Sequence, residues 1–186
     1  MSERTIAEFI DESPKFDCCF WTTFTVDFAT VNFLLQQHIK PILRTPNFHL
    51  MVDARELDRV CRLPDGLNTS RKLFSNAVLS TVLAPVAFHP KIFFFGSDRH
   101  IRVLVTSGNA TPTGVLSNVD IIARFDYSAE NEESRGKVAE VYRFLASFPN
   151  WHRTAQHALK SLVDQPEVLL PTTSILFRPQ ERSHLV

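Results

Sequence analysis

The chain reads as an α/β domain built on a mixed, mostly parallel β-sheet flanked by helices on both faces. Three observations predict this. A strand-like stretch, a helical stretch and a second strand-like stretch follow one another over residues 16–53. The unbroken apolar run Ile92-Phe93-Phe94-Phe95 reads as a strand buried on both faces. A long amphipathic pattern over 130–148 supplies a helix to cover such a sheet. At 186 residues, 44% of them hydrophobic, the chain has the size for one full core. The expected organisation is one domain over 1–177 and a tail over 178–186, with 169–177 equally suited to begin a second half.

Taken in order, residues 16–26 are rich in aromatic and β-branched side chains and predict the first strand. Residues 28–43 carry a helical apolar pattern that Pro46 bars from continuing. Residues 48–53 form a second buried strand, and the βαβ unit so made implies parallel pairing. A helix and loop follow Asp53, and Leu63-Pro64-Asp65-Gly66-Leu67-Asn68 is a turn by composition. Strands over 80–87, through the apolar run, over 100–106 and over 119–125 complete the sheet. In the 130–148 helix Val138, Val141, Leu145 and Phe148 recur at helical spacing, with acidic residues in its first turns. A second helix over 151–163 follows the Pro149-Asn150 break, and 169–177 suits a last strand. No internal repeat or low-complexity tract appears.

Composition narrows the function. The formal net charge is zero, which gives no support for a broad electrostatic grip on a polyanion, so any nucleic-acid site would be a local basic patch. Arg55, Arg59, Arg62, Arg71 and Lys72 are the densest basic region; a solvated helix face is the stronger reading of them and a phosphate-tracking patch the weaker. Cys18, Cys19 and Cys61 are odd in number and lack CxxC spacing, which favours a reducing compartment over a disulfide framework or zinc knuckle. The polar N-terminus is no signal peptide and no apolar run reaches membrane-spanning length, so a soluble cytoplasmic protein without membrane partners is expected. His49, His100, His152, His157 and His184 show no metal-ligand spacing beyond the loose pair His152 and His157; neither metal nor cofactor is expected.

Chemistry concentrates in Phe88-His89-Pro90-Lys91 and, after a short polar turn, Thr106-Ser107-Gly108-Asn109-Ala110-Thr111. Residues two apart in a strand share a face, so His89 pairs with Lys91 and Ser107 with Asn109, and the four groups converge at a sheet rim. An imidazole can attack phosphorus, while an ammonium, a hydroxyl and a carboxamide can hold the non-bridging oxygens as charge builds. Taken singly, His89 and Lys91 are a rim histidine and a solvated lysine, and Ser107-Gly108-Asn109 a strand-ending turn. His38-Ile39-Lys40 has the same spacing but lies in the helical pattern, where residues two apart do not share a face.

The full run, from His89 and Lys91 through Ser107 and Asn109 to Gly114-Val115-Leu116-Ser117-Asn118-Val119-Asp120, resembles the phospholipase D superfamily, particularly its bacterial nucleases. The resemblance covers about residues 85–126. It implies an α-β-α sandwich and a metal-independent phosphodiesterase, with His89 as nucleophile and Lys91, Ser107 and Asn109 stabilising the phosphoryl oxygens. Asp120 falls at the acidic position that orients the site, or is a strand-edge acid paired with a base. Thr106, Gly108, Thr111 and Asn118 would line the substrate. Gly96 stands where an acid is usual, and Thr106 where glycine is commoner. One motif copy implies a site completed by a second chain in a homodimer, or by a second half of the same type. The implied activity is a DNA endonuclease working through a phosphohistidine, in defence against foreign DNA. The alternatives are a phospholipase or phosphatidyl transferase, and a non-catalytic module binding nucleic acid or protein.

Overall fold

The computed structural model describes residues 5–11, 18–38, 48–63, 77–96, 100–117, 121–128 and 134–147. Six strands, β1 (Cys18–Thr23), β2 (Phe48–Asp53), β3 (Ala77–Val82), β4 (Ile92–Gly96), β5 (His100–Thr106) and β6 (Ile122–Ser128), form one sheet in the order β3-β2-β1-β4-β5-β6. β1 pairs with β2 and β2 with β3 in parallel, whereas β1 with β4, β4 with β5 and β5 with β6 are antiparallel. The sheet is mixed, as expected, but it is not mostly parallel. Only residues 97–99 separate β4 from β5, and so short a link permits antiparallel pairing alone.

Helices cover both faces. On one, α1 (Ile6–Asp11), α2 (Phe28–His38) and α3 (Ala54–Cys61) pack Ile6, Ile10, Val31, Leu34 and Val60 against Trp21, Leu50 and Phe93. On the other, α4 (Arg135–Ala146) places Val138 and Leu145 over Phe20, Phe94 and Val103. Trp21 is fully buried, with the rings of Phe48 and Phe93 at 4.9 and 5.1 Å. Burying such a side chain stabilises the fold by about 1.5–3 kcal/mol. This is why the alternating apolar positions of β1, β2 and β4 resolve into two cores.

Several boundaries differ from the sequence expectation. The short helix α1 was not evident, although Thr5 and Glu8 form a capping box: the Thr5 N–H donates to Glu8 Oε2 at 2.7 Å and Glu8 N–H to Thr5 Oγ1 at 3.3 Å. The strand expected over 80–87 is β3, shifted toward the N-terminus and ending at Val82, and β4 begins only at Ile92, so His89 and Lys91 precede it. β6 runs later than expected, while β2 and β5 keep their expected bounds. The helix expected over 151–163, the strand over 169–177 and the tail lie outside the described residues. No helix among the described residues is long and apolar enough to cross a membrane.

The register brings six strand ends to one edge. Thr23 lies opposite Val52, Asp53 opposite Val82, Thr22 opposite Ile92, Ile92 opposite Val105 and Thr106 opposite Ile122. Because β3 and β4 are separated by β2 and β1, residues 83–91 must cross the ends of those two strands. The hydrogen bonds mark that path: the Phe88 N–H donates to Asp53 at the end of β2, and the Thr22 hydroxyl of β1 to Pro90 O.

Candidate active site at the strand-end edge

His89 rides on this crossing segment and is exposed, whereas Lys91 is only 5% exposed. Lys91 continues β4 backward in phase with Phe93 and Phe95, and its carbonyl accepts from the Thr106 N–H at 3.0 Å. Its ammonium therefore emerges from the sheet behind the histidine. Lys91 Nζ lies 2.8 Å from His89 Nδ1, 3.2 Å from His89 Nε2 and 3.0 Å from His89 O. A buried ammonium needs such partners, since its desolvation is otherwise costly. The Phe24 ring backs the imidazole at a centroid distance of 5.0 Å.

The β5 end supplies the second arm. Asn109 Oδ1 faces the Thr25 N–H at 3.5 Å and the Thr23 hydroxyl at 3.3 Å, an orientation that turns the amide NH₂ away from β1 as a donor. Thr23 Oγ1 also accepts from the Ala110 N–H at 3.0 Å, and the Asp27 N–H donates to Ala110 O at 2.9 Å. Phe24 and Thr25, neighbours in the chain, thus contact His89 and Asn109 respectively. The turn between β1 and α2 is the piece that ties the two arms together. Sequence reasoning assigned it no role; the Thr22-Thr23 pair closing a strand is the signal that was there to find.

The remaining expected residues are placed as follows. The Ser107 hydroxyl accepts from the Ile121 N–H at 3.3 Å and the Ser107 N–H donates to Ile121 O at 3.3 Å, which sets Ser107 on the β6 side. Thr106 Oγ1 accepts from the Gly108 N–H at 3.1 Å, tightening the turn. Thr111 accepts from the Gly114 N–H at 3.3 Å and from Val115 N–H through its carbonyl at 3.0 Å, at the start of a π-helical turn over Thr113–Ser117. Gly114 is required there, since a Cβ would lie 2.4 Å from Asn109 O and 2.7 Å from Asn109 N. Asn118 and Asp120 lie outside the described residues.

Gly96 pairs with Ile101 and Cys18 at the opposite end of β4. Five residues at ~3.3 Å each put it roughly 16 Å from Lys91. An acid there would not touch His89, so the glycine removes nothing from the contacts of the histidine.

Asp53 is buried beneath the crossing segment. Its Oδ1 caps α3 by accepting from the Arg55 N–H at 2.9 Å, and its Oδ2 accepts from the Phe88 N–H at 2.8 Å. Burial pushes this carboxyl upward, but the N–H groups of Phe88, Arg55 and Glu56 and the Arg55 charge outweigh it and hold the group below its ordinary range.

No protein-family model matches the chain, and no curated protein matches it. Two solved structures of mutant yeast tyrosyl-DNA phosphodiesterase are similar to it at 14% identity. One has a TM-score of 0.49 over 84% of this chain and 37% of the enzyme chain. The other has a TM-score of 0.44 over 67% and 29%. The chain therefore spans well under half the length of those enzymes, and a likeness at this level bears on neither substrate nor residue roles.

Proposed function

We propose that the chain is a phosphodiesterase of the phospholipase D type, acting on DNA without a metal through a phosphohistidine. The observation that carries this reading is the pairing of an exposed His89 with a buried Lys91 ammonium 2.8 Å away, at the edge where Asn109 also presents its amide. A ring nitrogen of His89 attacks phosphorus, forming a P–N bond as the P–O bond to the leaving alcohol breaks. The leaving oxygen takes its proton from a second histidine, supplied by His89 of another copy or by a second half of the same type. Water then attacks phosphorus, gives its proton to that second histidine and releases His89. Lys91 and Asn109, with Ser107 on the β6 side, stabilise the equatorial oxygens, an effect that reaches ~10²–10³-fold per donor in preorganised sites.

DNA cleavage by the chain persists in EDTA and falls ~10³-fold or more in His89→Ala. Cleavage that requires Mg²⁺, or that survives His89→Ala, overturns the reading. Exposed Leu83 and Val86 on the crossing segment and Ile121 beside Ser107 favour a second reading, a phospholipase or phosphatidyl transferase. Turnover of phospholipid vesicles with inert DNA selects it. Defence against foreign DNA is the biological role proposed with the nuclease.

A further inference from the structure

Asp53 does more than an N-cap requires. Capping α3 uses one carboxylate oxygen, on Arg55 N–H at 2.9 Å. The other oxygen is spent on the N–H of Phe88, 35 residues away in sequence and immediately before His89. The next acceptors on the same segment are also occupied by this corner of the fold. The Arg55 guanidinium donates to Ala84 O at 3.2 Å and to Val86 O. One buried carboxylate and one arginine, both at the β2–α3 junction, thus grip three points of a segment that lies between strands β3 and β4. The segment needs them, because Pro85 and Pro90 have no N–H to offer a ladder.

We infer that Asp53 and Arg55 are positioning residues that set the place of the His89 imidazole against Lys91. The inference rests on the proposed role of His89 only for its kinetic consequence. Its structural content, that the clamp fixes the imidazole, stands apart from that role. A carboxylate suits the task because both oxygens accept. In Asp53→Asn the Oδ1 cap survives while an NH₂ group meets the Phe88 N–H, and in Asp53→Ser the cap survives with no group reaching Phe88.

The test uses the full chain. Asp53→Asn and Asp53→Ser are expected to keep the wild-type circular dichroism. In both, carbethoxylation of His89 by diethyl pyrocarbonate, followed by mass spectrometry, proceeds severalfold faster as the ring leaves the ammonium. DNA cleavage falls about 10–100-fold in kcat with KM little changed, the scale of a misplaced reacting group. Arg55→Met, which leaves the α3 cap intact, is expected to move the labelling rate in the same direction and decides the matter if the Asp53 variants fail to fold. An unchanged His89 labelling rate in a folded variant overturns the inference, whatever the activity. Active enzyme with His89→Ala overturns the proposed function instead and leaves the labelling result standing.

Discussion

Two histidines on this sheet each sit beside a polar side chain, and they differ in almost everything else. His49, near the start of β2, is fully buried with Nε2 2.8 Å from Ser80 Oγ and its ring 6.0 Å from that of Phe20. Burial pushes its pKa down to about 4. His89 stands at the strand-end edge with its ring in solvent and a buried ammonium behind it. The interior site makes charging the imidazole costly and so confines it to packing and hydrogen bonding. At the edge the histidine is exposed and the buried residue is the cation, held against the imidazole, which is the arrangement the proposed function uses. Residues at the edge should therefore govern turnover and residues in the interior stability.

The largest expected departure is at Lys91. Lys91→Met keeps the volume of the stem and removes the charge. DNA cleavage should fall ~10²–10³-fold while thermal stability is unchanged or slightly higher, because the desolvation cost of the buried ammonium offsets the contacts it makes with His89. Steady-state kinetics beside thermal denaturation reads both. If stability falls and the remaining activity per folded molecule is normal, the edge is structural in the same sense as the interior, and the contrast fails.

The interior half of the comparison is tested by acid. Above pH 6.5 His49 is neutral in both folded and unfolded chains and has no effect on the pH dependence. As pH falls from 6.5 toward about 4, the unfolded chain takes up a proton that the native chain refuses, so stability is lost across that window. The limit is about 3.5 kcal/mol, from a pKa lowered from 6.5 to about 4 at ~1.4 kcal/mol per pH unit. His49→Gln keeps a partner for Ser80 and should flatten urea-derived stability between pH 6.5 and 4.5. The carboxyls of Asp53 and Asp126 are held below their ordinary range, the latter by Arg102 and Arg124 against the opposing effect of burial. Their stabilisation is lost only at lower pH, as each is protonated in the native state, which keeps the windows distinct.

The interior was also the legible part of the molecule. β2 and β5 were read to the residue because their patterns report burial, a local property of the side chains. The crossing segment up to Ala87 reads as part of a strand in the sequence because Leu83 and Val86 look like one, whereas its backbone is held by Asp53 and Arg55 from another element. His89 and Lys91 stand out in the sequence because Ser107, Asn109 and the run to Asp120 follow them at fixed spacing, which the pair alone, like His38 and Lys40, would not achieve. Asp53 was not, since its bond to Phe88 joins positions that no short pattern connects. Likewise the roles of Thr25 and Phe24 depend on the turn after β1 meeting the end of β5, a tertiary event.

Gly114 offers the finest test, because it separates the edge from the interior by a single methyl group. It lies in the π-helical turn, buried against the Asn109 backbone, and an added Cβ would lie 2.4 Å from a carbonyl oxygen. Backbone cannot yield as a flexible side chain does, so Gly114→Ala must push either the turn or Asn109. Overpacking of this kind costs about 1–3 kcal/mol. If the turn alone moves, stability falls and cleavage per folded molecule stays normal. The expectation is that Asn109 moves as well, since Ala110 is tied to Thr23 and Asp27 on one side and Thr111 to the π-turn on the other. The strain then falls on Asn109, which adjoins the Ala110 anchor and whose own backbone meets the added methyl; its amide is the group proposed to hold the phosphoryl oxygens. kcat should drop about 10-fold, with the His89 labelling rate unaltered, because the clamp on residues 84–88 does not pass through Asn109.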